Sequence, residues 1–208
     1  MKIISHRGYW KTQEEKNTLT AFNRSFDLGF GTETDIRDYK GKLVISHDVP
    51  TDDVLTLAEF FECLNARPLT LALNIKADGL RDLLVREIEK YSVSDAFVFD
   101  MSVPDQKLYY EQNAFNVFTR MSEVERTPAF YNQSHGVWLD AFYDHWYDNA
   151  DFVKIINDNK KVCIVSPELH KRDHRVFWES LKSNGIHRQD DLIICTDLPE
   201  EAVAFFKE

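Results

Sequence analysis

The feature that most constrains the fold is the alternation of short apolar runs with amphipathic segments along the chain. Eight runs are rich in β-branched and aromatic residues, as buried strands are. The segments between them space apolar residues three or four positions apart, which is typical of helices that cover a sheet. The predicted strands are Lys2–Ser5, Gly31–Arg37, Leu69–Lys76, Ala96–Asp100, Asn116–Arg120, Gly136–Ala141, Lys161–Pro167 and Asp191–Thr196.

Eight strands with interleaved helices in 208 residues predict an α/β protein, a single-domain (β/α)8 TIM barrel over residues 1–208. An open doubly wound sheet is the alternative, but neither a glycine-rich dinucleotide fingerprint nor a P-loop follows the first strand. The segment Ser122–Phe130 is too short and polar to predict a helix. The predicted helices are Thr18–Leu28, Leu57–Leu64, Leu80–Tyr91, Pro104–Gln112, His145–Asp158, His174–Asn184 and Glu200–Phe206.

Charge and cysteine content limit the partners and the compartment. The 25 Lys and Arg against 35 Asp and Glu give a formal net charge of -10, which repels nucleic acids and anionic membranes. No stretch approaches the roughly 20 apolar residues of a membrane span, and no signal-peptide core is visible. Three widely spaced cysteines favour a reducing compartment. We therefore expect a cytoplasmic protein without a membrane anchor that acts on a small molecule.

In a TIM barrel, polar residues at the carboxyl ends of the strands form the active site. The first strand leads into His6 and Arg7, an imidazole that exchanges protons near neutral pH and a guanidinium that binds oxyanions. The second strand carries Glu33 and Asp35, which share one face because they are two residues apart. If that face is the barrel interior, the two acids require a cation, and oxygen ligands suit Mg²⁺ or Ca²⁺. A solvated rim is the alternative.

Two further pairs extend this set. The apolar run 43–46 predicts a small extra strand that returns His47 and Asp48 toward the barrel mouth. Two histidines near a metal can supply the acid and the base of phosphoester cleavage. Asn74 and Lys76 share a face at the end of the third strand, where the lysine offers positive charge to a phosphate. A lysine that merely extends into solvent is the alternative.

In order and spacing, these residues resemble the glycerophosphodiester phosphodiesterase family, within the PI-PLC-like phosphodiesterase superfamily. The resemblance implies a metal-dependent phosphoric diester hydrolase of lipid metabolism. It is carried by His6-Arg7-Gly8, Asn17-Thr18, Ala21-Phe22, Glu33-x-Asp35, His47-Asp48, Lys76 and the terminal Thr196-Asp197-Leu198-Pro199.

The resemblance also implies roles for individual residues. His6 and His47 would be the general acid and base, and two cations would bind the substrate phosphate. Two acidic residues would hold the divalent cation, and an asparagine would shape the mouth. The cations are Arg7 and Lys76, the acids are Glu33 and Asp35, and the asparagine is Asn17.

The chain departs from the family pattern at the third metal ligand and at the mouth. Where the family commonly has a glutamate two residues before the strand-three lysine, this chain has Asn74. An amide oxygen can still coordinate Mg²⁺ or Ca²⁺, with one negative charge fewer. Asp140 and Glu168, at the ends of predicted strands six and seven, are alternative third ligands if their side chains reach inward. Only residues 49–56 stand where the family inserts a subdomain, and Trp138 is a candidate for contact with the substrate alcohol.

Two other functions stay open at this stage. A phospholipase of the sphingomyelinase D type shares the barrel and the paired histidines, and apolar residues around the mouth would favour it. A barrel that has lost catalysis and binds a phosphate or polyol is the third hypothesis, which Asn74 suggests. The residues do not decide the alcohol groups of the substrate, or whether water or a substrate hydroxyl attacks phosphorus.

Overall fold

A computed structural model describes residues 1–112 and 114–207. These residues form a barrel of eight parallel strands, because the first strand pairs with the second on one side and with the last on the other. The predicted TIM barrel is confirmed. The strands are β1 (Lys2–His6), β2 (Gly31–Tyr39), β3 (Lys42–Ile45), β4 (Leu71–Ile75), β5 (Ala96–Phe99), β6 (Asn116–Met121), β7 (Gly136–Leu139), β8 (Lys161–Val165) and β9 (Leu192–Thr196).

The seven predicted helices are present: Leu57–Leu64 has the predicted bounds, and the other six differ at one or both ends. The largest shift is at the fifth helix, which begins at Asn149 rather than His145 because Asp148 accepts the backbone N–H groups of Ala150 and Asp151 as its cap. Residues 122–130 form no helix, as expected. The helices are α1 (Leu19–Asp27), α2 (Leu57–Leu64), α3 (Arg81–Lys90), α4 (Val103–Gln112), α5 (Asn149–Asn157), α6 (Arg175–Ser183) and α7 (Pro199–Lys207). None of the described helices is both long and apolar enough to cross a membrane.

The barrel interior is filled by side chains, so the polar site can lie only at an end. Large rings pack against one another: Phe97 stacks on Phe118 with ring centroids 3.9 Å apart, and Phe99 on Trp138 at 4.0 Å. Gly136 makes room for this packing, since a Cβ there would lie 2.4 Å from the Phe118 ring. The interior cluster consists of Ile4, Ala72, Phe97, Phe99, Phe118, Trp138, Cys163, Val165, Ile193 and Cys195.

The predicted extra strand is β3, which forms an antiparallel hairpin with β2 outside the barrel ring. The hairpin brings the chain back to the carboxyl end of β2, where the Ser46 N–H donates to the Asp35 carbonyl at 3.0 Å. His47 follows immediately. The connection to α2 is short and ends at Thr56, whose side chain and Glu59 form a capping box.

Candidate active site

A tight turn at Arg7 and Gly8 follows His6, the last residue of β1. Arg7 and Gly8 both have positive φ, 59° and 80°, and Gly8 also lies close to α1, because a Cβ there would be 2.7 Å from Ala21 Cβ. Glycine is the residue that meets both demands. The Arg7 N–H donates to the Glu33 carbonyl at 2.9 Å, which ties the turn to β2.

His6 lies between two carboxylates and forms a hydrogen bond with one of them, Asp197. Its Nδ1 lies 2.8 Å from Asp197 Oδ1, and its Nε2 lies 3.9 Å from Glu33 Oε2. A carboxylate accepts, so Nδ1 carries the proton and Nε2 of the neutral ring carries the lone pair. The side chain is 15% exposed. This geometry leaves one ring nitrogen free to accept a proton at the mouth.

Asp35 is fully buried, forms ion pairs with two cations and accepts one hydrogen bond. Arg7 Nε lies 2.9 Å from Oδ2, Lys76 Nζ 3.4 Å from Oδ1, and the Asn17 amide donates to Oδ2 at 2.9 Å. Asn17 is itself fixed, because Thr34 donates its hydroxyl to the Asn17 amide oxygen. Two cations that contact one carboxylate make a positive cluster beside the acids, as anion binding in a protein of net charge -10 requires.

Glu33 and Asn74 lie next to each other inside the barrel mouth. The Asn74 amide donates to Glu33 Oε1 at 3.4 Å, and both residues are buried. Burial raises the pKa of Glu33 to about 7, and the negative charge of Asp35 adds to this shift. Glu33 therefore gives up its proton less readily than an exposed glutamate does.

Three buried oxygens of the predicted metal ligands have no hydrogen-bond partner among the described residues. They are Glu33 Oε2, Asp35 Oδ1 and Asn74 Oδ1. A buried polar atom without a partner is costly, and such atoms cluster where a ligand binds. Carboxylate and amide oxygens are the donors that Mg²⁺ and Ca²⁺ take. No group of three His, Cys, Asp or Glu side chains with a metal-site arrangement occurs in the described ranges.

The two alternative third ligands are already engaged by protein donors. Asp140 accepts from Arg120 at 3.1 Å, His170 at 2.7 Å and the Ala141 N–H at 2.9 Å. Burial alone would raise the pKa of Asp140, but the His170 hydrogen bond and the Arg120 charge lower it overall. Glu168 likewise accepts from two hydroxyls and a backbone N–H. The unpartnered oxygens thus belong to the set with Asn74.

His47 stands in a more open setting than His6. Its side chain is 47% exposed and its Nδ1 lies 2.9 Å from Asp48 Oδ1. The hydrogen bond from His47 lowers the pKa of Asp48, so this carboxylate stays charged beside the ring. The Arg37 side chain donates to the His47 carbonyl at 3.2 Å, and this holds the loop against β2.

Trp138 lies on β7 directly opposite Arg120 of β6 and is buried in the barrel interior. Its ring is 4% exposed and stacked on Phe99, so its face is used in packing. Its indole N–H has no hydrogen-bond partner among the described residues. The edge of the ring, rather than its face, is the part that can meet a substrate.

Three charged residues of the mouth, Asp100, Arg120 and Asp197, were given no role from the sequence. Asp197 contacts His6, and Arg120 pairs with both Asp100 and Asp140. Their signal was their place at the ends of strands, which in a barrel is the active-site end. A cleft beside Lys76 is lined by Asp100, Ser102 and Arg120, so the mouth continues from the cations into a polar groove.

Comparison with known proteins shows the fold. No protein-family model and no curated protein matches the sequence. The structure is similar to a glycerophosphodiester phosphodiesterase from Agrobacterium tumefaciens, with a TM-score of 0.72 and 15% identity over 100% of both chains. It is also similar to a glycerophosphoryl diester phosphodiesterase from Parabacteroides distasonis, with a TM-score of 0.67 and 16% identity over 99% of this chain and 86% of that one.

The fold is one that glycerophosphodiester phosphodiesterases adopt. The resemblance seen in the sequence is thus confirmed at the level of the fold. A mutant tryptophan synthase α-subunit from Pyrococcus furiosus shares the barrel, with a TM-score of 0.54 and 13% identity over 99% of this chain and 94% of that one. Because one barrel supports unrelated chemistries, the activity has to be argued from the residues of the mouth.

Proposed function

We propose that this chain is a phosphoric diester hydrolase that acts on a glycerophosphodiester-like small molecule and depends on Mg²⁺ or Ca²⁺. The observation that carries the proposal is the set of three unpartnered oxygens, on Glu33, Asp35 and Asn74, beside the cations Arg7 and Lys76. A cation site next to an anion site is the arrangement that binds a metal and a phosphate together.

Each residue has a part in binding. Glu33, Asp35 and Asn74 would hold the divalent cation, which when bound supplies Lewis-acid polarisation of the phosphoryl oxygens. Arg7 and Lys76 bind the phosphate by charge and hydrogen bonds. Further positioning comes from Asn17, which fixes Asp35 through its amide. We assign Trp138, whose indole N–H has no hydrogen-bond partner among the described residues, to the alcohol group of the substrate.

His6 and His47 divide the proton transfers. His6 Nε2 accepts the proton of the attacking hydroxyl, and Asp197 stabilises the imidazolium that forms. His47, beside the charged Asp48, donates a proton to the leaving alcohol oxygen. A new P–O bond forms and the P–O bond to the alcohol breaks, which yields an alcohol and a phosphomonoester with water as nucleophile, or a cyclic product with a substrate hydroxyl.

Hydrolysis of bis(p-nitrophenyl) phosphate by chelator-stripped protein tests the proposal, with Mg²⁺, Ca²⁺ and Mn²⁺ added back. We expect metal-dependent turnover that His6→Ala and Asp35→Asn each abolish. Calorimetry should separate the two variants, because Asp35→Asn loses metal binding and His6→Ala keeps it. Tight binding of glycerol 3-phosphate without turnover of any diester would instead assign the inactive binder.

We place this reaction in the cytoplasm, in the metabolism of lipid-derived diesters. The three cysteines support the placement, since Cys63, Cys163 and Cys195 are all free thiols and unpaired cysteines are typical of reducing compartments. Burial raises the pKa of the Cys163 and Cys195 thiols, which keeps them protonated and inert inside the barrel.

A second function is favoured by the surface around the mouth. The four most exposed large apolar side chains of the described residues are Val49 (82%), Val176 (74%), Tyr143 (72%) and Val124 (70%). Val49, Val124 and Tyr143 lie in loops that follow strands at the carboxyl end of the barrel, and Val176 lies in the first turn of α6, which follows β8. An apolar rim suits a phospholipase of the sphingomyelinase D type that acts on a lipid surface. Vesicle binding that depends on these side chains is the test.

A further inference from the structure

Glu168 is a charged residue of the mouth that the proposed chemistry leaves unused. It lies in the short helical turn Pro167–His170, directly after β8. Its Oε1 accepts from the Thr196 hydroxyl and, at 3.1 Å, from the Asp197 N–H. Its Oε2 accepts from the Ser166 hydroxyl. One carboxylate therefore links the end of β8 to the end of β9.

The links of Glu168 are anchored in the core. Ser166 is fully buried, and its hydroxyl accepts from the indole N–H of Trp178, the largest of the fully buried side chains, at 2.9 Å. Thr196 is also fully buried, and its hydroxyl accepts from the Leu198 N–H at 3.0 Å. Hydrogen bonds to a charged acceptor that are this well shielded are among the stronger ones in a protein.

The segment that these bonds hold is the turn between β9 and α7, and Asp197 is its central residue. Asp197 Oδ1 lies 2.8 Å from His6 Nδ1, the contact that sets which ring nitrogen carries the proton. The backbone of Asp197 is tied to Glu168 while its side chain is tied to His6. A displacement of this turn would move the carboxylate away from the imidazole.

We propose that Glu168 is a positioning residue, which fixes Asp197 and through it the orientation and tautomer of His6. This inference rests on the proposed function, in which His6 Nε2 is the base. It also gives Glu168 a role other than the metal ligand expected as one alternative from the sequence. Its two oxygens already accept three protein donors, whereas Glu33, Asp35 and Asn74 each keep one buried oxygen without a hydrogen-bond partner among the described residues.

Glu168→Ala and Glu168→Gln test this role in the full chain. In the Mg²⁺-loaded protein we expect Glu168→Ala to lower kcat for bis(p-nitrophenyl) phosphate about 10- to 100-fold, as loss of an outer partner does, with KM within about twofold. Glu168→Gln retains an amide oxygen for the Asp197 N–H and should restore most of the rate. Calorimetry should give an unchanged Mg²⁺ affinity in both.

The tautomer of His6 is the readout that needs neither substrate nor metal. In ¹⁵N spectra we expect wild type to show the Nδ1–H form of His6, and Glu168→Ala to show a mixture of both forms. Glu123→Ala is the matched control, because Glu123 also ties down a loop, through the Phe142 and Tyr143 N–H groups. It should leave the His6 spectrum unchanged.

The measurements distinguish a positioning role of Glu168 from a role as metal ligand. A folded Glu168→Ala with wild-type kcat and an unchanged His6 tautomer overturns the inference, and a fall in Mg²⁺ affinity alone assigns Glu168 to the metal instead. If Glu168→Ala does not fold, Thr196→Val removes one of the same bonds and must shift the tautomer in the same direction. A shifted tautomer in a chain whose wild type cleaves no diester overturns the proposed function and leaves the positioning role standing.

Discussion

Asn74 determines how much charge the proposed cation site carries. Its amide group donates to Glu33 at 3.4 Å and leaves its own oxygen without a partner among the described residues. A glutamate there would add a third carboxylate next to Glu33, whose pKa already stands at about 7, and Asp35. In the proposed cation site, an amide rather than a carboxylate would therefore favour the metal-free protein and weaken the binding of the metal.

Asn74→Glu should therefore act in opposite directions with and without metal. Without metal, we expect it to lower the unfolding free energy by about 1 to 3 kcal/mol, because like charges are buried together. With Mg²⁺ present, the melting temperature should recover, and calorimetry should show about tenfold tighter binding, or 1.4 kcal/mol. Asn116→Glu, an exposed site at the other end of the barrel, is the control. Equal Mg²⁺ affinity in wild type and Asn74→Glu would remove Asn74 from the ligand set.

The sequence was informative about residues that lie on neighbouring strands. His6, Glu33, Asp35 and Asn74 come together because β1, β2 and β4 pair side by side, with His6 opposite Glu33 and Asp35 opposite Asn74. Asp197 could not be matched to His6 in this way, since the two are 191 positions apart and only closure of the barrel joins them. Residue spacing predicts which side chains of one strand share a face. It does not predict which residue of the last strand meets the first strand when the barrel closes.

At the scale of elements, the connection between β1 and α1 combines a backbone requirement with close packing. Gly8 has φ of 80° and no room for a Cβ beside Ala21, whereas Gly41, in the β2–β3 turn, has φ of 78° and nothing within 4 Å of that position. The two glycines share a conformation and differ in their surroundings. Substitution by alanine can therefore separate strain from contact.

We expect Gly41→Ala to cost about 1 kcal/mol, from the positive φ alone. Gly8→Ala should cost about 1 to 3 kcal/mol more, because α1 must move away. It should also lower kcat/KM for the diester, since the adjacent Arg7 moves with the turn. Urea unfolding and steady-state kinetics measure the two effects. Equal stability of the two variants would show that α1 can move away from position 8 without a cost in free energy, and that the β1–α1 connection does not hold Arg7 in place.

The elements themselves were predictable where periodicity was strong and less so at their ends. All eight barrel strands and seven helices were expected, because apolar runs and helical spacing alternate clearly. The start of α5 was misplaced by four residues, since the aromatic segment 142–147 continues the apolar pattern while Asp148 forms the cap. The first residue of the helix is set by the hydrogen bonds of its cap, and the spacing of apolar residues carries no information about those bonds.

At the scale of the whole molecule, the net charge and the apolar rim have opposite effects on binding to a lipid surface. The charge of -10 opposes approach to an anionic bilayer. The rim residues Val49, Val124, Tyr143 and Val176 favour insertion into any bilayer interface. If the mouth docks on lipid, we expect it to prefer a zwitterionic bilayer to an anionic one, because the net negative charge of the protein is repelled by the anionic bilayer.

We therefore expect sedimentation with phosphatidylcholine vesicles at low salt and weaker sedimentation with vesicles that contain phosphatidylserine. Higher salt should narrow the difference, because it screens the repulsion. The double variant Val49→Ser, Tyr143→Ser should bind phosphatidylcholine about tenfold or more weakly while its turnover of bis(p-nitrophenyl) phosphate is unchanged. Val153→Ser, an exposed valine on α5 away from the mouth loops, is the control. A wild type that sediments with neither vesicle and cleaves only dissolved diesters would rule out the lipid-surface function and leave the small-molecule hydrolase.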